Sequence, residues 1–191
     1  MARLLGRNAT GLTGHFTRLW QRSRMSRLLV PFLALLAITL FSGCGGRTYT
    51  YRYIPGRTAT LQGGYAVAPR SAPTAVQAAI DAGNRIAGSP YGYGGGHGSH
   101  SNGSFDCSGA TSYVLQSAGL LSGPMPSRGF RRYANSGDGR WITVWARKGH
   151  VFLTVAGLRF DTGWTGQPEG PHWTTKSRPA RGYVTRHPSG L

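Results

Sequence analysis

From Trp141 to Thr162 the sequence passes three times through a short block of β-branched and aromatic residues: Trp141–Trp145, His150–Ala156 and Leu158–Thr162. The breaks between them are Arg147-Lys148-Gly149 and a two-residue link at Ala156-Gly157. Such blocks separated by such short turns predict antiparallel strands in a meander. Earlier segments have a different period. Residues 75–88 carry apolar side chains at 75, 76, 79, 80, 82, 86 and 87, with Gly88 to end a helix. A second stripe, Ala110, Val114, Leu115 and Ala118, predicts a helix closed by Gly119. Helices followed by strands make the expected class α+β, with Tyr183–Arg186 as one further strand.

The second helix opens at Cys107, where the Gly/Ser-rich loop gives way to helical spacing in Phe105-Asp106-Cys107-Ser108-Gly109. The positive end of a helix favours thiolate over thiol, and the thiolate is the nucleophile. A lone cysteine is otherwise a small hydrophobe, so a nucleophilic role requires a base and a group to orient that base. His150 is the expected base because it begins a strand. With the turn at Ala156-Gly157, Asp161 falls opposite Phe152, on the face of His150 and within diagonal reach. A one-residue slip would bring Thr162 there instead. His172 is the rival third residue. His97 and His100 flank Gly98-Ser99 in a loop expected to be solvated, and His187 is expected to be inert. The Pro90–Gly98 stretch is dense in glycine and lets backbone approach a ligand, but no Gly-Lys-Ser/Thr follows it, so it is not a phosphate loop. One domain cysteine and no His-x₃-His pair give no closed metal-ligand set, and no cofactor is expected.

Twenty-two basic residues face five acidic ones, a net charge of +17, and nearly all the bases are arginine. Six arginines lie in residues 1–43, so a chain beginning at Cys44 would keep a net +11. That charge implies an anionic neighbour. The arginines are scattered and no zinc-finger, RRM or helix-turn-helix pattern occurs, so nucleic acid is not the expected partner. Basic Met25-Ser26-Arg27, apolar Leu28–Phe41 and small Ser42-Gly43 precede Cys44, in the layout of a secretory signal. The apolar run is shorter than the roughly twenty residues that span a bilayer. A cysteine after two small residues resembles a lipoprotein lipobox, with Phe41 where Leu is usual, and implies lipidation of Cys44. Met25 is an alternative start. Residues 1–43 are thus read as a targeting segment, 44–74 as a lipidated N-terminus and flexible tether, and 75–191 as the domain. Within the tether, Tyr49, Tyr51 and Tyr53 alternate as in a short strand.

Three motifs in order carry a resemblance to a known family. Pro90-Tyr91-Gly92-Tyr93-Gly94-Gly95 is similar to the Pro-Tyr-x-Trp-Gly-Gly of NlpC-type cell-wall cysteine peptidases, Phe105–Gly109 to their Asp-Cys-Ser-Gly, and Gly149-His150-Val151 to the start of their histidine strand. The resemblance spans roughly residues 75–186. It implies a papain-like domain with the nucleophile at a helix N-terminus packed on an antiparallel sheet. It also implies a peptidoglycan endopeptidase cutting stem peptides, at a γ-D-glutamyl bond to a diamino acid; the chain is expected to act as a monomer. Cys107 would be the nucleophile, His150 the base and Tyr91 the oxyanion donor, with Asp106 and Ser108 holding the substrate's free amine. The family's third polar residue is often His, and here Asp161 stands nearest. The location implied is the cell envelope, on a lipid anchor. The competing expectations are a non-catalytic wall-binding lipoprotein on the same scaffold, and a thiol amidase or acyltransferase with another substrate.

Overall fold

The computed structural model describes residues 47–98, 102–163 and 169–191. The targeting segment, Cys44 and His100 lie outside the described residues. Three strands form from the meander blocks: β5 (Ile142–Arg147), β6 (His150–Val155) and β7 (Leu158–Thr162). They are β5 to β7 because β1 (Thr48–Tyr49), β2 (Thr60–Gln62), β3 (Tyr65–Val67) and β4 (Asn135–Ser136) precede them in the chain. After them come β8 (Pro171–Thr174), β9 (Arg178–Pro179) and β10 (Val184–His187). The main sheet has the order β4-β10-β5-β6-β7-β8, and its pairs are antiparallel. β8 starts on a proline, which the edge of a sheet tolerates because one side of an edge strand needs no N–H donor.

Two tight turns set the register of the meander. Arg147 pairs with His150 across Lys148-Gly149, and Val155 pairs with Leu158 across Ala156-Gly157. Both residues of the second turn have positive φ, 46° at Ala156 and 77° at Gly157, the twist that suits a two-residue hairpin. The turn therefore lies where the sequence placed it.

Helix α1 (Thr74–Ile86) and helix α2 (Cys107–Ser117) share one core with a single face of this sheet. Val76, Ala79, Ile80 and Ile86 of α1, and Ala110, Val114 and Leu115 of α2, pack with Ile142, Val144, Val151, Leu153 and Phe160. Gly83 gives α1 close approach to β8, since a Cβ there would lie 2.4 Å from the Trp173 ring. The helix boundaries agree with the spacing, and Gly119 closes α2 at a φ of 71°. The class is α+β, with two helices on an antiparallel sheet.

The opposite face of the sheet corrects one expectation. Residues 47–74 are not a free tether: the described chain belongs to the compact unit from Arg47 onward, not from residue 75. β1 pairs with β9, and Tyr49, only 5% exposed, packs with Trp145, Phe152, Ala180 and Tyr183. The Tyr49 hydroxyl donates to the Gly157 carbonyl at 2.9 Å, and the Ala59 N–H to the Ala156 carbonyl at 2.8 Å. The physical reason is that β5 and β6 present Trp145 and Phe152 on the face away from the helices. That aromatic surface needs a cover, and the tyrosines of the low-periodicity segment supply it.

Candidate active site

The first turn of α2 is built by the loop in front of it. Phe105 donates its N–H to the Pro90 carbonyl at 3.0 Å, Gly92 donates to Phe105 at 3.3 Å, and Asp106 donates to Gly95 at 3.2 Å. Gly109 lies so close to this loop that a Cβ would meet the Gly95 carbonyl oxygen at 1.9 Å. Glycine is therefore required within the first turn of α2, which accounts for the last residue of the Asp-Cys-Ser-Gly run.

Asp106 is the N-cap. Its Oδ1 accepts from the Gly109 N–H at 2.7 Å and the Ser108 hydroxyl at 2.9 Å, and its Oδ2 accepts from the Gly94 N–H at 2.9 Å. His97 Nε2 lies 3.2 Å from Oδ1 and 2.9 Å from the Ser108 oxygen. Burial pushes the Asp106 carboxyl up. The Gly109 N–H, the Ser108 hydroxyl, the Gly94 N–H and His97 outweigh burial and hold it below the ordinary carboxylate value. Asp106 and Ser108, expected to hold a substrate amine, are thus buried and engaged in joining loop to helix. An Asp directly before a helical stripe is an N-cap signal, and it is the feature that finds this role. His97, expected to be solvated, belongs to the same network.

Cys107 is the first residue of α2, a free thiol of intermediate exposure. The pull of the helix end toward thiolate is opposed here. Burial pushes the Cys107 thiol up; the Val151 N–H opposes this, the Asp106 and Asp161 carboxylates add to it, and the Ser108 N–H opposes it weakly. The helix end is present, but burial between two carboxylates outweighs it. At neutral pH the thiol keeps its proton and needs a base to take it.

That base candidate stands at the start of β6. Val151, whose N–H acts on the thiol, is the residue after His150. His150 Nε2 is 2.9 Å from Asp161 Oδ1 on β7, and the Asp161 side chain is 0% exposed. An ionised carboxylate only accepts, so Nε2 carries the ring hydrogen and Nδ1 is left with the lone pair. Asp161 Oδ1 also accepts from the Thr162 N–H at 2.8 Å, and Oδ2 accepts from Arg178 Nη1 of β9. The carboxylate is fixed on both oxygens, and the imidazole is fixed by the carboxylate. The diagonal pairing read from the turn length is present.

Behind Asp161 lies an assembly of arginines and rings that the sequence reading missed. Arg178 also donates to the Tyr183 hydroxyl at 3.2 Å and lies 5.2 Å from the Phe152 ring centre. Arg159, fully buried, is 3.6 Å from Asp161 and stands over Tyr49 and Phe152 at 5.8 and 6.0 Å. Its Nε and Nη1 have no hydrogen-bond partner, so ring faces and the nearby carboxylate offset its charge. Burial pushes the Arg159 guanidinium down, Asp161 holds it up, and Arg178 pushes it down again.

The remaining candidates lie at or beyond the margin. His172 pairs with Asp161 across β7 and β8, but its Nδ1 donates to the Gly170 carbonyl at 2.9 Å and its Nε2 faces Glu169 at 3.8 Å. It is turned to its own loop, not to His150. His187 bonds the Gly137 carbonyl at 3.2 Å. Tyr91 bridges to Phe105 and is exposed; burial pushes its hydroxyl up, followed by the charges of Cys107 and Asp106. Its neighbour Tyr93 is 96% exposed. No known protein family matches this chain, and no curated protein matches it.

Proposed function

We propose that this protein is a cysteine peptidase of the cell envelope that hydrolyses peptidoglycan stem peptides. The observation that carries the chemistry is the buried Asp161 carboxylate fixing His150 through Nε2, on a strand whose next residue, Val151, directs its N–H at the thiol that starts α2. His150 Nδ1 takes the Cys107 proton as the sulfur attacks an amide carbonyl. The tetrahedral oxyanion accepts from the Tyr91 hydroxyl and from N–H groups at the start of α2. Imidazolium then protonates the departing amine, leaving a thioester on Cys107. A water molecule, deprotonated by the same nitrogen, attacks the thioester and restores the thiol.

The substrate class rests on the resemblance of Pro90–Gly95, Phe105–Gly109 and Gly149–Val151 to the NlpC-type motifs. The same resemblance proposes the γ-D-glutamyl bond to a diamino acid as the one cut. Attachment through a lipid on Cys44 would hold the enzyme at the membrane facing its polymer.

The test is mass spectrometry of soluble fragments after the full chain, in a neutral detergent, is incubated with peptidoglycan beside Cys107→Ala and His150→Ala. Stem-peptide fragments are expected from the unsubstituted chain alone. Identical fragment patterns from all three, with polymer retained on the protein, would replace the peptidase by a wall-binding lipoprotein. Fragments released only from another acyl substrate would instead point to an amidase or acyltransferase.

A further inference from the structure

A cleft of about 630 Å³ lies apart from the polar groups described above, between the turn that follows α2 and β10. Four of the residues that line it are arginines: Arg128, Arg131, Arg132 and Arg186. The local chain explains their convergence. Gly129 and Phe130 donate to the Pro126 carbonyl at 2.8 and 3.3 Å, closing the 3-10 turn Gly129–Arg132. Phe130 is fully buried, so the turn is pinned by its apolar residue while the arginines on either side are exposed. Arg186 Nε donates to the Arg131 carbonyl at 2.8 Å, which ties the strand to the turn.

No carboxylate lines this cleft. The chain has only five acidic residues. Asp106 caps α2, Asp161 holds His150, Asp138 pairs with Arg47, Glu169 faces His172, and Asp81 is on α1. Among the described residues, no ion pair reaches Arg128, Arg131, Arg132 or Arg186. Four like charges on one concave surface repel one another unless an anion joins them. A guanidinium fork matches carboxylate geometry with paired hydrogen bonds.

The sheet register locates the cleft relative to the thiol. Val151 pairs with Ala146, and Ala146 pairs with Val184, which lines the cleft. The three form one row across β6, β5 and β10, on the face that α2 covers. Adjacent strands lie about 4.8 Å apart, so the row runs about 10 Å from the position beside Cys107 to the cleft. That row is buried in the core, so a substrate would pass over the surface, and an extended peptide needs at least about three residues for this separation.

We infer that this arginine cleft is the subsite for the acidic part of the substrate, taking a peptide with two or more carboxylates while its scissile carbonyl lies at Cys107. The assignment rests on the nucleophilic reading of Cys107; the anion site itself does not. The test uses the full chain in a neutral detergent and tetra-aspartate as probe, with tetra-asparagine and inorganic tripolyphosphate beside it. Calorimetry is expected to show salt-sensitive binding of tetra-aspartate, none of tetra-asparagine, and an affinity at least about tenfold lower after Arg128→Gln, Arg131→Gln and Arg132→Gln together. Arg70→Gln with Arg181→Gln, at exposed positions elsewhere, is expected to leave the affinity unchanged, and Cys107→Ala is expected to keep it. Bound tetra-aspartate is further expected to slow iodoacetamide alkylation of Cys107 in the parent but not in the triple variant. Equal affinity in the parent and the triple variant overturns the site, as does binding of tripolyphosphate without tetra-aspartate. Binding without protection of Cys107 overturns its assignment to the substrate. Intact binding in a chain that releases no peptidoglycan fragments overturns the peptidase instead.

Discussion

Asp106 and Asp161 are the same residue in similar burial, each accepting several hydrogen bonds, yet they belong to different kinds of structure. Asp106 takes its donors from its own helix turn and the loop that leads into it: Ser108, Gly109, Gly94 and His97. Asp161 gathers His150, 11 residues before it, and Arg178, 17 residues after it, on three different strands. The first carboxylate shapes a helix terminus; the second couples a titratable ring to a buried guanidinium. The difference teaches that a helix cap and an orienting group held between strands fail in different ways when removed.

The larger effect is expected at Asp161. Asp161→Asn keeps the size but leaves Arg178 and Arg159 without a buried counter-charge, at a cost of about 3 kcal/mol measured by urea unfolding. It also turns the group facing His150 Nε2 into an amide, and turnover in the proposed peptidase reaction is expected to fall on the order of a thousandfold or more. Near-normal turnover would erase the distinction between the two carboxylates. Asp106→Ala removes a cap and strands the Ser108 hydroxyl and the Gly94 and Gly109 N–H groups, an expected loss of about 2 kcal/mol in the same assay. Stability should then become less sensitive to acid. The folded carboxyl is held below its unfolded value, so its contribution is complete above the unfolded value and is lost as pH falls through the folded one. An unaltered acid-unfolding profile would show that the cap carries no such linkage.

The sequence made the Asp161 contact legible because Ala156-Gly157 admits a two-residue turn, and a turn of known length fixes which side chains share a face. The partner of that contact was not legible. Arg178 reaches Asp161 only because β9 is held by β1, a two-residue pairing in segments with no periodic pattern. The same cause hid the packing of residues 47–58, where Tyr49 covers Phe152 and Trp145 without forming any long element. The upward push on the Cys107 thiol was not legible for a related reason. A helix start and the neighbouring Asp106 are visible in the sequence, whereas the burial of that start against β6 and its nearness to Asp161 are tertiary facts.

The central claim is that Cys107 rests as a thiol and is activated by His150. It is tested most directly by alkylation of Cys107 with iodoacetamide across pH, resolved by mass spectrometry from Cys44, in the parent and in His150→Ala. Because the folded thiol titrates above its ordinary value, the thiolate fraction stays low at neutral pH, and the parent profile is expected to inflect above about 8.5. His150→Ala is expected to slow the reaction at pH 7 by about tenfold or more, within the range that a positioned base contributes. An inflection below that value, or the same rate at pH 7 with and without the imidazole, would contradict the claim.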